Sequence, residues 1–141
     1  MDSNFKREII LDNYQDPMNR GLIEDDSYLK TRTSSENCID DLDFMVKIQD
    51  NKIEDIRFDG EACAISTAAT SIMIRKLIGK TLDEVKVILE NYQNMIEGRE
   101  YDESLLGELM VYDEINKQPN RIHCALIPSI AIKQILEQIN I

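Results

Sequence analysis

Between Leu42 and Gln49 apolar and polar residues alternate, with Leu42, Phe44, Val46 and Ile48 on one side and Asp43, Met45, Lys47 and Gln49 on the other. Period two is the signature of a strand with one face covered and one face wet. Asp50-Asn51 follows, two residues that tolerate left-handed backbone and therefore suit a two-residue hairpin turn. Ile56 and Phe58 resume the alternation on a returning strand, which is expected to stop at Asp59-Gly60. Tyr28 to Thr33 reads as a further strand. A three-stranded antiparallel sheet of this size leaves an apolar face that other elements must cover.

Helical patterns supply the cover. Phe5 to Tyr14 carries Ile9, Ile10 and Leu11 among charges and reads as a short amphipathic helix. It should end near Asp16-Pro17, because the residue before a proline is pushed out of helical space; Asn19-Arg20-Gly21 is then a turn. After Cys63 the period changes. Ala64 to Ile78 is rich in small residues, with Ile65, Ala68, Ala69, Ile72 and Met73 on one face, and is expected to lie close on the sheet. Thr81-Leu82-Asp83-Glu84 has the form of a capping box, opening a helix whose buried face is Val85, Ile88, Leu89, Tyr92 and Ile96 and which Gly98 stops. Residues 99–120 are polar and acidic, with a short helix expected around Leu105 to Tyr112; the stretch Glu97 to Glu114 reads as a solvated face or loop. A last helix from about Ala125 places Ile127, Ala131, Ile135 and Ile139 at i, i+4 spacing, which puts Pro128 in its first turn or moves the helix start later. The expected fold is α+β: a small three-stranded antiparallel sheet with helices packed on one face, an N-terminal helix and a C-terminal helical region, forming one domain over residues 1–141.

Composition narrows the function classes. Lys and Arg total 16 and Asp and Glu 27, so the net charge is 16 − 27 = −11. That balance argues against a protein tracking nucleic-acid phosphates, which needs a basic stripe. The longest uncharged run, Ala62 to Ile74, has 13 residues, against about 20 for a membrane span. The first eight residues carry charges of both signs, unlike a secretory leader. A cytoplasmic location is expected, and there cysteines are more often free, metal-bound or catalytic than paired.

Three cysteines, 38, 63 and 124, stand at element boundaries. Cys38 follows the loop Ser34-Ser35-Glu36-Asn37, Cys63 precedes a helix, and Cys124 is expected just before another. A thiol at a helix N-terminus meets unpaired N–H groups and the positive end of the dipole, which favour the thiolate. Asp40 can turn an oxygen toward the same point, and His123 is the chain's only imidazole. Three thiolates with a carboxylate or imidazole form a tetrahedral donor set for zinc or for one end of an iron–sulfur cluster. With three thiolates and one carboxylate a Zn²⁺ site would carry 2 − 4 = −2, which helix N-termini and Arg121 could partly offset. The same residues have plainer readings. Isolated cysteines are often small buried hydrophobes, Asp40 could be a turn residue, His123 a hydrogen bonder at a helix start, and Arg121 a solvated charge.

The text around these residues says more than their spacing. Ile10-Leu11-Asp12-Asn13-Tyr14-Gln15-Asp16-Pro17-Met18-Asn19-Arg20-Gly21 resembles the opening of the iron–sulfur cluster assembly family that includes NifU N-terminal domains, IscU and SufU. Asn37-Cys38-Ile39-Asp40 resembles its first cysteine motif, with Ile39 where the pattern has Gly. Gly60 to Ser71 resembles the second, a Gly-x-Gly-Cys-x-Ile-Ser block with a small-residue helix, and Arg121-Ile122-His123-Cys124-Ala125 the third. The interval 124 − 63 = 61 is long, as in the SufU type, whereas His123 matches the IscU pattern.

This resemblance implies a metal site of Cys38, Asp40, Cys63 and Cys124 binding zinc, with sulfur taken from a cysteine desulfurase and Cys38 as the sulfur acceptor. In that frame His123 is an alternate ligand or proton-transfer group and Arg121 a supporting residue. The IscU-like alternative is a scaffold on which iron is built into a [2Fe–2S] cluster and passed to recipient apo iron–sulfur proteins. A third reading is a non-catalytic interaction module with a structural zinc, so whether the chain is an enzyme is left open here.

Overall fold

The computed structural model describes residues 1–34 and 40–141. Its elements in chain order are α1 (Ser3–Gln15), β1 (Leu29–Ser34), β2 (Asp41–Gln49), β3 (Lys52–Glu61), α2 (Ala64–Leu77), α3 (Leu82–Ile96) and α4 (Ile122–Gln138). Four short 3-10 segments, Glu103–Leu105, Gly107–Tyr112, Ile115–Lys117 and Pro119–Arg121, join α3 to α4.

The strands form an antiparallel sheet in the order β1-β2-β3. Asp50 and Asn51 both take positive φ, 54° and 62°, as a two-residue hairpin of this hand requires. Phe44 then faces Phe58 and Val46 faces Ile56 across β2 and β3, and the two phenyl rings lie 6.3 Å apart in a tilted pair. Leu42, Phe44, Val46, Ile53, Ile56 and Phe58 are fully withdrawn from water on this face. Met45 departs from the expected pattern. It sits on the polar side of the alternation yet is buried. Its cross-strand partner Arg57 donates to the Gly21 carbonyl at 2.9 Å, which draws the segment after α1 toward that face.

Asp2 caps α1 by accepting from the Phe5 amide at 2.9 Å, and Thr81 and Glu84 form the reciprocal capping box that starts α3. α3 buries Leu82, Val85, Ile88, Leu89, Tyr92, Met95 and Ile96, which contains the expected face. α2 reaches the sheet at β3, but its main neighbours are other helices. Its small residues let α1 and α4 approach, and its packing against β3 is slight. From Ser66 to Ile74 every residue of α2 is buried, so it is the central helix. Its hydroxyls therefore need internal partners. Ser71 Oγ donates to Asn13 Oδ1 of α1 at 2.7 Å, and Thr70 Oγ1 to the Ser66 carbonyl at 2.8 Å.

Three further expectations change. β3 does not stop at Gly60 but continues pairing through Glu61. The acidic stretch after α3 is not merely a solvated loop: Leu106, Leu109, Val111, Tyr112 and Ile115 point into the core while the acids face out. α4 starts at Ile122, three residues early, with Pro128 inside it. No helix among the described residues is long and apolar enough to cross a membrane.

Candidate metal centre

The centre is built where β2 begins and β3 ends. Asp41 pairs with Glu61 and Leu42 with Gly60, so the last rung of the ladder lies beside Asp40. Gly60 has φ 130°, and a Cβ there would stand 2.2 Å from the Asp41 carbonyl oxygen. Only a glycine permits this approach. The close approach carries the chain past Glu61 so that Cys63 arrives against Asp40. The Cys63 amide donates to Asp40 Oδ1 at 2.7 Å.

Cys63 is the N-cap of α2, in extended backbone, with the Ser66 amide 3.5 Å from its sulfur. The sulfur thus occupies the position where a helix presents unpaired donors and favours negative charge. One turn on, Ser66 projects from the same side of α2, since i and i+3 share a helix face. Its hydroxyl oxygen lies 2.6 Å from Asp40 Oδ2, 3.0 Å from the Cys124 carbonyl and 3.4 Å from Cys63 Sγ.

Cys124 was expected just ahead of a helix, but it lies within the first turn of α4 and is buried. Its carbonyl is the one that would accept the amide of residue 128 in an unbroken helix. Residue 128 is proline and has no amide proton. The Ser66 hydroxyl stands at that carbonyl instead. The next carbonyl, of Ala125, accepts from the Tyr92 hydroxyl at 2.7 Å. The first turn of α4 is therefore stitched to α2 and α3 by side chains. Tyr112 closes the neighbourhood by donating to the Ile65 carbonyl at 3.1 Å. Burial, with smaller contributions from Tyr92 and Cys63, pushes its phenol well above the usual range, so it serves as a neutral donor.

Among the described residues, Asp40, Cys63 and Cys124 form a group whose ligand atoms all lie within 4.8 Å of one another. Asp40 and Cys124 are buried and Cys63 half-buried. Cys63 Sγ and Asp40 Oδ2 are 4.0 Å apart. Tetrahedral zinc, with bonds of about 2.3 Å to sulfur and about 2.0–2.2 Å to oxygen, sets donor atoms roughly 3.5–3.8 Å apart. The donor set fits in chemistry and nearly in spacing. These three residues supply three donors, which leaves one of four tetrahedral positions for a further ligand. Their summed charge with a divalent ion is 2 − 3 = −1, which suits a site at the α2 N-terminus.

Of the residues singled out in the sequence, the fold thus joins Asp40, Cys63 and Cys124. Cys38 and Ile39 lie outside the described residues. His123 is exposed and is not part of this group; adjacent helix positions diverge, so it faces solvent while Cys124 next door is buried. Arg121, at the N-cap of α4, is likewise exposed. Two residues of the site had no assigned role. Ser66 carried a signal, its three-residue spacing from Cys63. Pro128 carried another, its four-residue spacing from Cys124.

Comparison with known proteins shows the family. The family model described as NifU-like N terminal domain matches residues 5–138. The zinc-dependent sulfurtransferase SufU of Bacillus subtilis is 31% identical over 86% of this chain and 82% of its own. The iron–sulfur cluster assembly scaffold protein IscU of Thermotoga maritima is 27% identical over 94% and 93%. A crystal structure from Fervidobacterium islandicum AW-1, described as a candidate iron–sulfur cluster assembly scaffold for the SUF system, superposes with a TM-score of 0.83 at 31% identity, covering 90% of this chain and 93% of that one.

Proposed function

The chain belongs to the family of NifU-like N-terminal domains, and on that premise we propose that it is an iron–sulfur cluster assembly protein that accepts sulfur from a cysteine desulfurase at a zinc-holding site. The observation that carries the reading is the convergence of Asp40, Cys63 and Cys124. The likeness to a protein named a zinc-dependent sulfurtransferase supports the choice of metal.

In this reading Asp40, Cys63 and Cys124 hold the ion, and Cys38, tethered two residues before Asp40 in the chain, supplies the fourth ligand and the acceptor sulfur. A zinc ion, when bound, would keep the Cys38, Cys63 and Cys124 thiols deprotonated and masked. Docking of the desulfurase frees Cys38. Its thiolate attacks the outer sulfur of the partner's persulfide; a new S–S bond forms on Cys38, the old one breaks, and the partner's cysteine leaves as thiolate. The carboxylate of Asp40 stays in place through its bonds from the Cys63 amide and Ser66. Recipient apo iron–sulfur proteins are the eventual destination of the sulfur. Arg121, exposed at the start of α4, supports the site by offsetting its negative charge.

Anaerobic purification with metal analysis, beside desulfurase turnover on the same samples, tests the proposal. We expect one zinc per chain and a many-fold faster desulfurase, with Cys38→Ser abolishing the acceleration. Absence of zinc and iron, together with full acceleration by Cys38→Ser, would sink it.

A second reading, an IscU-like scaffold, is favoured by His123, an exposed imidazole on the turn that bears Cys124. It predicts that ferrous iron and sulfide leave a coloured, transferable [2Fe–2S] cluster on the chain, and that His123→Ala slows its transfer. A purely structural zinc predicts instead that Cys38→Ser alters stability and leaves sulfur flow unchanged.

A further inference from the structure

Ser66 stands between the donors of the centre. It is fully buried, and its hydroxyl stands within hydrogen-bond distance of three groups: Asp40 Oδ2 at 2.6 Å, the Cys124 carbonyl at 3.0 Å and Cys63 Sγ at 3.4 Å. The second acceptor is available because Pro128 cannot supply the amide that would otherwise occupy it. Asp40 immediately precedes β2, Ser66 lies in α2 and Cys124 in α4. One hydroxyl therefore joins the three elements that bring the donor atoms together.

We propose that Ser66 is the positioning residue of the metal centre, orienting the Asp40 carboxylate directly and the Cys124 turn through its carbonyl. The proposal rests on the reading of Asp40, Cys63 and Cys124 as metal ligands. The physical need is clear. A buried carboxylate has two oxygens to satisfy. The Cys63 amide holds Oδ1, and Ser66 holds Oδ2, the oxygen 4.0 Å from the Cys63 sulfur. Without the hydroxyl the carboxylate can rotate away from the thiols, and the Cys124 carbonyl loses its bond from α2. Groups bonded to a ligand in this way typically change metal affinity by about 10–100-fold when removed.

Cobalt is the suitable probe, since its thiolate charge-transfer and ligand-field bands report ligand number and geometry. Wild type, Ser66→Ala, Asp40→Ala and the double variant are titrated with Co²⁺ and then with Zn²⁺ against a competing chelator. Metal-free thermal unfolding is followed in parallel. We expect Ser66→Ala to weaken binding by about 10–100-fold, to alter the ligand-field bands, and to add little to the loss already caused by Asp40→Ala. Unchanged affinity and bands in Ser66→Ala, or full additivity with Asp40→Ala, would overturn the positioning role and leave the metal centre standing. A wild type that develops no thiolate band with Co²⁺ would overturn both. Should Ser66→Ala not fold, proton NMR of the wild type decides. A Ser66 hydroxyl resonance protected from solvent and moved by one equivalent of Zn²⁺ supports the proposal, and one that exchanges freely or ignores the metal refutes it.

Discussion

The hydroxyl oxygen of Ser66 lies 3.0 Å from the carbonyl oxygen of Cys124, across the interface of α2 and α4. Position 128 is proline, so no helical amide competes for that carbonyl. In the Pro128→Ala variant an amide becomes available one turn along α4, and the Cys124 carbonyl gains a helical donor. Ser66→Ala should then be less damaging in that background than in wild type. We expect a coupling of about 0.5–1.5 kcal/mol, the usual net worth of one neutral hydrogen bond. Urea unfolding of the four metal-free proteins measures it; strict additivity would show that the carbonyl is not shared.

Gly60→Ala is expected to be among the most disruptive single-methyl additions in the chain. Its Cβ would stand 2.2 Å from the Asp41 carbonyl, at a φ of 130° that side chains rarely adopt. Backbone strain of about 1–3 kcal/mol adds to overpacking of about 1–3 kcal/mol. Because the ladder must part next to Asp40, metal affinity should fall along with stability. Gly79→Ala is the control, since its positive φ has open space around it.

Stripping the metal should lower the melting temperature in a ligand-dependent way. Free zinc at a hundred times its Kd adds about 2.7 kcal/mol to a protein that binds it only when folded. A scan with and without chelator tests this, and Asp40→Ala should shrink the difference. Equal melting curves would argue against a site formed on folding.

The segment between α3 and α4 should behave as core. Leu109 is fully buried there, and Leu109→Ala should cost about 2–5 kcal/mol. A loss below about 0.5 kcal/mol, typical of a surface position, would return the stretch to the status of a solvated loop.

Acid should loosen the start of α3. The Glu84 carboxyl is held below its ordinary range, first by the Thr81 amide and then by the Thr81 hydroxyl. A lowered native pKa contributes stability that is complete above the ordinary glutamate value and is lost as pH falls through the native one. Thr81→Ala removes the hydroxyl half of the box, at about 1 kcal/mol near neutrality. Its stability should also vary less steeply with pH across the acid limb. Parallel pH profiles for the two proteins would contradict the assignment.

Local chemistry made much of this molecule legible in the chain itself. The alternation from Leu42 to Gln49, the left-handed pair Asp50-Asn51 and the Thr81–Glu84 box act over two to four residues, so the sheet hairpin and α3 could be read directly. Cys63 was placed at a helix start by the same local logic. Asp40 and the three cysteines could be singled out as metal-ligand types because their donor chemistry is intrinsic to the side chains. What resisted reading was contact between distant segments. Nothing near residue 66 says that α2 is enclosed by α1 and α4, so its small residues were read only as a close-packing face and its hydroxyls had no assigned partners. Pro128 looked like a boundary, because a proline inside a helix is unfavourable unless other groups take up the carbonyls it frees. Ser66, 58 positions from its acceptor, stands at the Cys124 carbonyl, to which Pro128 offers no amide, and Tyr92 donates to the neighbouring Ala125 carbonyl from 33 positions away. Donor types, periods and caps belong to the sequence alone. Which thiol meets which carboxylate, and which hydroxyl holds them there, was decided only by the tertiary structure, since those bonds close across chain separations that no local pattern can encode.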